Sequence, residues 1–318
     1  MTFAEKKARF DIEYQEMESY LLTFKGVEGF DVYNSSIPFM WKGKRYIYGR
    51  VERRDEWARS WVRLFEETGT DEFTLVGGSM LYQLEDPFVS LIGNEMVLGG
   101  THVRYSRGAI DTYYGYFYRG TDLEDMYYFT TGPENMKDIR LVQLKDGIGV
   151  FSRPKNEEID KLYGSSSVIG FVTIQDITDL SAEVVAGAKV IEGMFSKGEW
   201  GGCNQCYQLD TGLIGIIAHK SYEGVNTSGV KQAVYVNSSF VFDPKEHKLL
   251  DEKIIATRKS YPDGPAKKPN LEDCAFTAGI VMRDDGKADL YSGLGDVYTG
   301  RVVIDYPFDG FGKIVNPI

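Results

Sequence analysis

LEDPFVSLIGNEMVLGGTHVR, residues 84–104, is the stretch on which the fold turns. It opens on an acidic pair ahead of a proline and runs into a short apolar strand. It then turns at Gly93-Asn94, continues as a second apolar strand and ends on His102 and Arg104. Two short strands around a Gly-Asn turn read as a hairpin. The same order returns in YNSSIPFMWKGKRYIYGRVE (33–52), MKDIRLVQLKDGIGVFSRP (136–154), GCNQCYQLDTGLIGIIAHKSY (202–222) and LEDCAFTAGIVMRDDGKADLYSGLGD (271–296). The starts lie roughly 50 to 70 residues apart, a blade-like period lengthened by insertions. Five units predict an all-β fold, a five-bladed β-propeller, as one domain over residues 1–318 with residues 1–25 packing on it. An ordinary β-sandwich with turn residues at its strand ends is the alternative.

Helical periodicity is scarce. Residues 3–20 carry most of it, 56–67 fit a strand as well as a helix, and 182–187 could make one short turn. The N-terminal segment is predicted to dock on a neighbouring subunit in a homo-oligomer or to close the propeller as a strap. PDGPAKKP at 262–269 is the strongest loop signal and is placed between blades.

Composition narrows the function. The 318 residues include 21 Tyr, 18 Phe and 35 Gly, which suits pleated strands with many turns and wet, half-apolar surfaces such as sugar sites. A net charge of −11 argues against a general nucleic-acid binder, because a duplex repels such a surface. Residues 1–24 carry charge throughout, so no signal peptide is read there, and no run reaches the roughly 18 apolar residues of a membrane span. With only three cysteines, the expected location is the cytoplasm, with reduced thiols and no membrane partner.

In a propeller, the innermost strands present their ends to a central funnel. The polar residues at the unit starts, Asn34, Glu85, Asp86, Asp138, Asn204 and Asp273, and Asp296 at the end of the last unit, are therefore candidates for one shared site. Asp86 precedes a proline, which holds it extended and suits a general acid or base; the plainer reading is a turn-forming Asp. Arg50, His102, Arg104, Arg153, His219 and Lys220 end strands, and Lys137 opens the third unit. Such cations next to acids suggest an anion pocket, Arg forks matching phosphate oxygens, or else salt bridges between blades. His247 reads as a surface loop residue. Cys203-Asn-Gln-Cys206 has CxxC spacing but no further ligands for zinc, and alternation puts the two thiols on opposite faces of a strand, so they read as structural.

Taken together, the Glu-Asp-Pro, Lys-Asp and Gly-Leu-Gly-Asp elements resemble those of glycoside hydrolase family 130, the mannoside phosphorylases and hydrolases, which are five-bladed propellers. They look closer still to the related mannosyltransferase/phosphorylase group, glycosyltransferase family 108. The resemblance spans residues 33–307. It implies that Asp86, matching the acid of a Glu-Asp-Pro-Arg motif, is the catalytic acid, although Phe88 stands where the family has Arg. It implies phosphate ligands at Arg50, Lys137, Arg153 and His219, with Arg104 a looser match, and sugar ligands among Asn34, Glu85, Asp138, Asn204, Asp273 and Asp296. Tyr291-Ser-Gly-Leu-Gly-Asp296 is one residue longer than the family's Tyr-Gly-x-x-Asp element. The implied reaction is inverting phosphorolysis of β-1,2-linked mannose to α-mannose 1-phosphate, or transfer from GDP-mannose, with inorganic phosphate or a sugar phosphate as co-substrate and no metal or other cofactor. Hydrolysis by the same fold, with Asp138 or Asp273 as base, and non-catalytic carbohydrate binding are the alternatives.

Overall fold

Apolar alternation over strands of two to thirteen residues builds five largely antiparallel sheets arranged as a β-propeller. The structure is a computed structural model and describes residues 1–14, 18–106, 108–226 and 228–316. Each of blades two to five has four strands. Their innermost strands are Glu85–Ile92, Arg140–Leu144, Glu199–Gln208 and Ala275–Met282. In the first blade Asp31–Tyr33 and Phe39–Trp41 share the inner position, both pairing with Lys44–Glu52. Trp61–Gly69, one of the two readings open for residues 56–67, is a strand.

The ring closes through the N-terminal segment. Ser19–Leu21 pairs antiparallel with Gly300–Val302 as the outer strand of the fifth blade, and Thr23–Lys25 runs parallel to Glu72–Thr74 at the edge of the first. Closing the ring in this way leaves only the outer edges of the blades. Apolar side chains fill the wedges between blades. Between the third and fourth, Phe151, Phe171 and Phe242 stack edge to face or tilted, with centroids 4.9 to 6.2 Å apart.

The helix at the N-terminus spans Phe3–Glu13, started by a Thr2–Glu5 capping box. It is shorter than the segment predicted as helical; residues 15–17 lie outside the described residues, and Ser19 already belongs to a strand. The helix packs on its own propeller. Phe3 sits against Tyr222, Val234 and Val236, and Lys7 bridges Asp11 at 3.0 Å and Asp273 at 2.7 Å. Ala182–Ala186 is helical, and Glu157–Tyr163 is a helix the periodicity did not reveal, capped by Asn156 and ended by Gly164 in the left-handed conformation.

The alternation argument for the CxxC pair fails at one residue. The inner strand of the fourth blade bulges at Asn204, so Cys203 faces Ala218 and Cys206 faces Ile216. One inserted residue resets the two-residue period, and both thiols are free and buried in one core cluster.

Because Lys7 is buried between Asp11 and Asp273 at the helix–propeller contact, Lys7→Ala should cost about 1–3 kcal/mol. The check is chemical denaturation; an unchanged midpoint would mean the helix is not held this way.

Candidate active site

Asn34, Asp86 and Asp138 recur at an interval of 52 residues, Asp86 and Asp138 where the second and third inner strands begin and Asn34 directly after Asp31–Tyr33 in the first blade. Each has positive φ (43°, 49° and 57°), as does Asp296 (57°). A non-glycine residue is uncommon in that region, Asn and Asp least so, and such residues gather at functional sites. Here the turn aims Asn34, Asp86 and Asp296 into the cavity, and Asp86 is not the extended residue that the proline after it predicts. At Asp86 a break in strand register between Glu85 and Phe88 adds to the turn.

The cavity at this end of the ring measures about 260 Å³. Asn34, Arg50, Glu85, Asp86, Lys137 and Asp296 line it, all expected from the sequence. On its first side the geometry centres on Arg50. The guanidinium donates to Asp86 Oδ1 at 2.8 Å, to Glu85 Oε1 at 3.0 Å and to Ser60 Oγ at 3.0 Å, and lies 4.7 Å over the Tyr33 ring. Asn34 Nδ2 also donates to Asp86 Oδ1, at 2.9 Å. Asp86 Oδ2 makes no hydrogen bond to a described residue. Burial opposes the Arg50 charge, but Glu85, with Asp86 and Asp296, holds it protonated well above its ordinary value. Burial pushes the Glu85 and Asp296 carboxyls up, with Arg50 opposing. Beneath them Glu52, fully buried, accepts from Tyr33 Oη and Lys267 Nζ, each at 2.5 Å. Lys267 belongs to the 262–269 loop, which is thereby tied to the first blade.

The wall that the third blade contributes is cationic. Burial alone would strip Lys137 of its proton, but Asp138 and Asp86 raise its pKa, so it stays charged. It has neither a hydrogen bond nor an ion pair with any described residue. Lys155 also lines the cavity; burial and the charges of Arg153 and Lys137 push it down. Below these lysines is a packed layer. Arg153 Nη1 meets Asp138 Oδ2 at 2.9 Å, and its Nε donates to the Gly201 carbonyl at 2.5 Å, while its Nη2 has no described partner. Arg140 donates to the Asn204 carbonyl at 2.8 Å and covers the Phe88 ring at 4.6 Å. Burial opposes the Asp138 charge, yet Arg153, Lys137 and Arg140 hold its carboxyl far below the usual range. A side chain at Gly202 would strike His219 Cε1 at 2.9 Å and Asp138 Oδ2 at 3.0 Å, so this layer admits only glycine there.

His219 belongs to this layer. Asn204 Oδ1 accepts both its backbone N–H (2.8 Å) and its Nδ1–H (2.9 Å), leaving a lone pair on Nε2. Burial lowers its pKa to about 3, more than Asp138 raises it, so the imidazole is neutral.

Several expected ligands lie elsewhere. Asp138, Asn204, Arg153 and His219 support the wall rather than line it. Arg104 is exposed on the hairpin of the second blade and pairs with Asp111. Asp273 turns away to Lys7. Lys220 bridges Glu199 (3.0 Å) and Glu252 (2.6 Å) within the fourth blade, so it is neither an anion ligand nor a bridge between blades. His102 stacks on Tyr116 at 4.5 Å. His247 is half-buried, its Nε2 3.0 Å from the Val190 carbonyl, and not a free surface residue. Lys155, Tyr235, Trp57, Tyr113 and Phe276 line the cavity without having been singled out. Lys155 alone had a signal, a second cation directly after Arg153-Pro154.

A family model described as "Protein of unknown function (DUF1861)" matches residues 8–310. A solved mannose phosphorylase from Leishmania mexicana, MPT-4, in complex with phosphate ion, is 52% identical, with 99% of this chain and 96% of that chain covered and a TM-score of 0.93. A GDP-Man-dependent mannosyltransferase from the same organism, MPT-1, is 45% identical over 100% and 99% of the two chains, also at 0.93. A mannoside-targeting structure of the GH130 family, at 12% identity and a TM-score of 0.60, shares the fold. Comparison with curated proteins finds no match.

The neutral imidazole has a measurable consequence. Its folded pKa lies below its unfolded value, so its contribution to stability is whole above about pH 6.5 and is lost as the pH falls towards about 3. The His219 ring resonances should stay constant from about pH 7 to pH 5 in the phosphate-free protein. A titration centred near 6.5 would contradict the buried, neutral assignment.

Proposed function

We propose, on the premise that this chain belongs to the DUF1861 family and to the mannosyltransferase/phosphorylase group found in Leishmania, that it is an inverting β-1,2-mannoside phosphorylase. The observation that carries this is the division of the cavity. Among the described residues, a carboxyl with one free oxygen, Asp86 Oδ2, comes from the first two blades' side of the cavity, and two lysines without a carboxylate partner, Lys137 and Lys155, come from the third blade.

Asp86 is the acid, passing a proton from Oδ2 to the glycosidic oxygen directly or through a sugar hydroxyl. A phosphate oxygen forms the bond to the anomeric carbon from the opposite face as the bond to the leaving sugar breaks, and α-mannose 1-phosphate results. Lys137 and Lys155 hold the dianion in line, with Arg153 and Asp138 packed behind them, so catalysis is largely positioning and fixed charge. Arg50 and Asn34 fix the Asp86 carboxyl through Oδ1. Glu85 and Asp296, with raised pKa, accept or donate hydrogen bonds to sugar hydroxyls. The reaction needs no metal or organic cofactor in this scheme. The same cations suit the phosphates of a GDP-mannose donor, which the likeness to the mannosyltransferase supports.

Hydrolysis would require a base to activate water. Of the two carboxylates the sequence offered, Asp138 is paired with Arg153 and Asp273 with Lys7. Neither is free for water, which favours phosphate as the nucleophile. Three buried free thiols, and no helix among the described residues long and apolar enough to cross a membrane, fit the cytoplasm proposed for it.

Incubation with β-1,2-mannobiose should release mannose 1-phosphate only when phosphate is added; release unaffected by phosphate would overturn phosphorolysis. Asp86→Asn should lower kcat by roughly 10²–10⁴-fold with Tm retained, and retained activity would remove it as the acid. Lys137→Ala should raise the KM for phosphate by roughly 10- to 100-fold, and an unchanged phosphate KM would take it out of the anion pocket.

A further inference from the structure

Trp57 is 52% exposed, yet it lines the cavity that holds Asp86. Its loop is anchored on both of the groups that organise the acid. Arg59 N–H donates to Glu52 Oε1 at 2.8 Å, and Ser60 Oγ accepts from Arg50 at 3.0 Å. Between Trp57 and these anchors Ala58 takes φ 55°, a conformation alanine adopts at a cost of about 1–2 kcal/mol. The ammonium of Lys268 lies 5.0 Å over the indole and fixes its orientation from one face. Val103, Ile110 and Tyr113 of the long second-blade hairpin complete the wall. The structure thus maintains strain to hold a large aromatic ring at the mouth with no core to join.

We propose that Trp57, backed by Tyr113, Val103 and Ile110, is the stacking platform for the sugar ring on the leaving side of the scissile bond. The inference rests on the phosphorylase reading in one respect: inversion places the leaving sugar beside the acid and the phosphate opposite it. Trp57 lies in the loop that carries Ser60, the partner of Arg50, which in turn holds Asp86. The groups around it favour a neutral, hydroxyl-rich ring over an anionic nucleotide, because Glu85, Asp86 and Asp296 are acidic and Arg50 is committed to them. An indole face against the C–H face of a pyranose buries apolar area while leaving the hydroxyls to the carboxyls.

The test is synthesis run in reverse from α-mannose 1-phosphate with mannose or β-1,2-mannobiose as acceptor, in wild type, Trp57→Ala and Trp57→Tyr. Trp57→Ala should raise the acceptor KM by roughly three- to tenfold. The KM for mannose 1-phosphate and the Tm should hold, and Trp57→Tyr should recover most of the loss. An unchanged acceptor KM, or an equal rise in both KM values, overturns the platform. If wild type turns over no mannoside, the phosphorylase reading fails by itself, and calorimetry with β-1,2-mannobiose then decides: binding lost in Trp57→Ala supports the platform, and no binding to wild type overturns it. Binding of GDP that depends on Trp57 when mannobiose binding does not would also overturn it.

Discussion

The contact between Arg50 and Asp86 organises the cavity. A guanidinium withdrawn from water is tolerated only if its donors are satisfied and its charge is balanced. Arg50 meets that demand with Asp86, Glu85 and Ser60, drawn from the first two blades and the loop between the middle strands of the first. Glu52 lies 3.8 Å away and brings in Lys267 from the far side of the ring closure. One buried cation therefore fixes the acid, orders the mouth loop and ties the loop of the fifth blade to the first. Removing it would leave three carboxylates gathered without their counter-charge.

A second constraint mirrors the first. Asp138 is as buried as Arg50 and is balanced by Arg153, with Arg140 3.7 Å away. With Asp138 paired to Arg153, Lys137 has no carboxylate ion-pair partner among the described residues. An anionic ligand can complete it without first breaking an ion pair, so the desolvation of Lys137 is already part of the folded structure. The two sides differ in charge because one buried network centres on a cation and the other on an anion.

Much of this was legible because turn chemistry is local. The polar residues opening each unit mark the strand starts, and Asn and Asp tolerate the left-handed turn that aims them inward. The depth of each residue was not legible. Leu-Glu-Asp occurs at residues 84–86 and again at 271–273, yet Asp86 has positive φ and faces the cavity, whereas Asp273 does not and reaches Lys7. The difference comes from the N-terminal helix, hundreds of residues away, and no pattern near Asp273 encodes it. Arg104 failed for another reason: its strand runs twelve residues, past the end of the inner strand, so its end stands in solvent rather than at the funnel. At Asn204 a single bulge moved both thiols to one face and turned the Asn204 carbonyl oxygen of the side chain onto His219. Trp57 and Lys155 carry no repeat signal, since both lie in connections outside the repeated strands.

The claim at the centre is that the acid and the anion occupy opposite sides of one cavity. A crystal structure of the protein soaked in phosphate tests it most directly. The anion is expected within hydrogen-bond reach of Lys137 Nζ and Lys155 Nζ, across the cavity from Asp86, with the Arg50–Asp86 contact intact. Phosphate seated on Arg50 with that contact broken, or a cavity that stays empty at saturating phosphate, would contradict it.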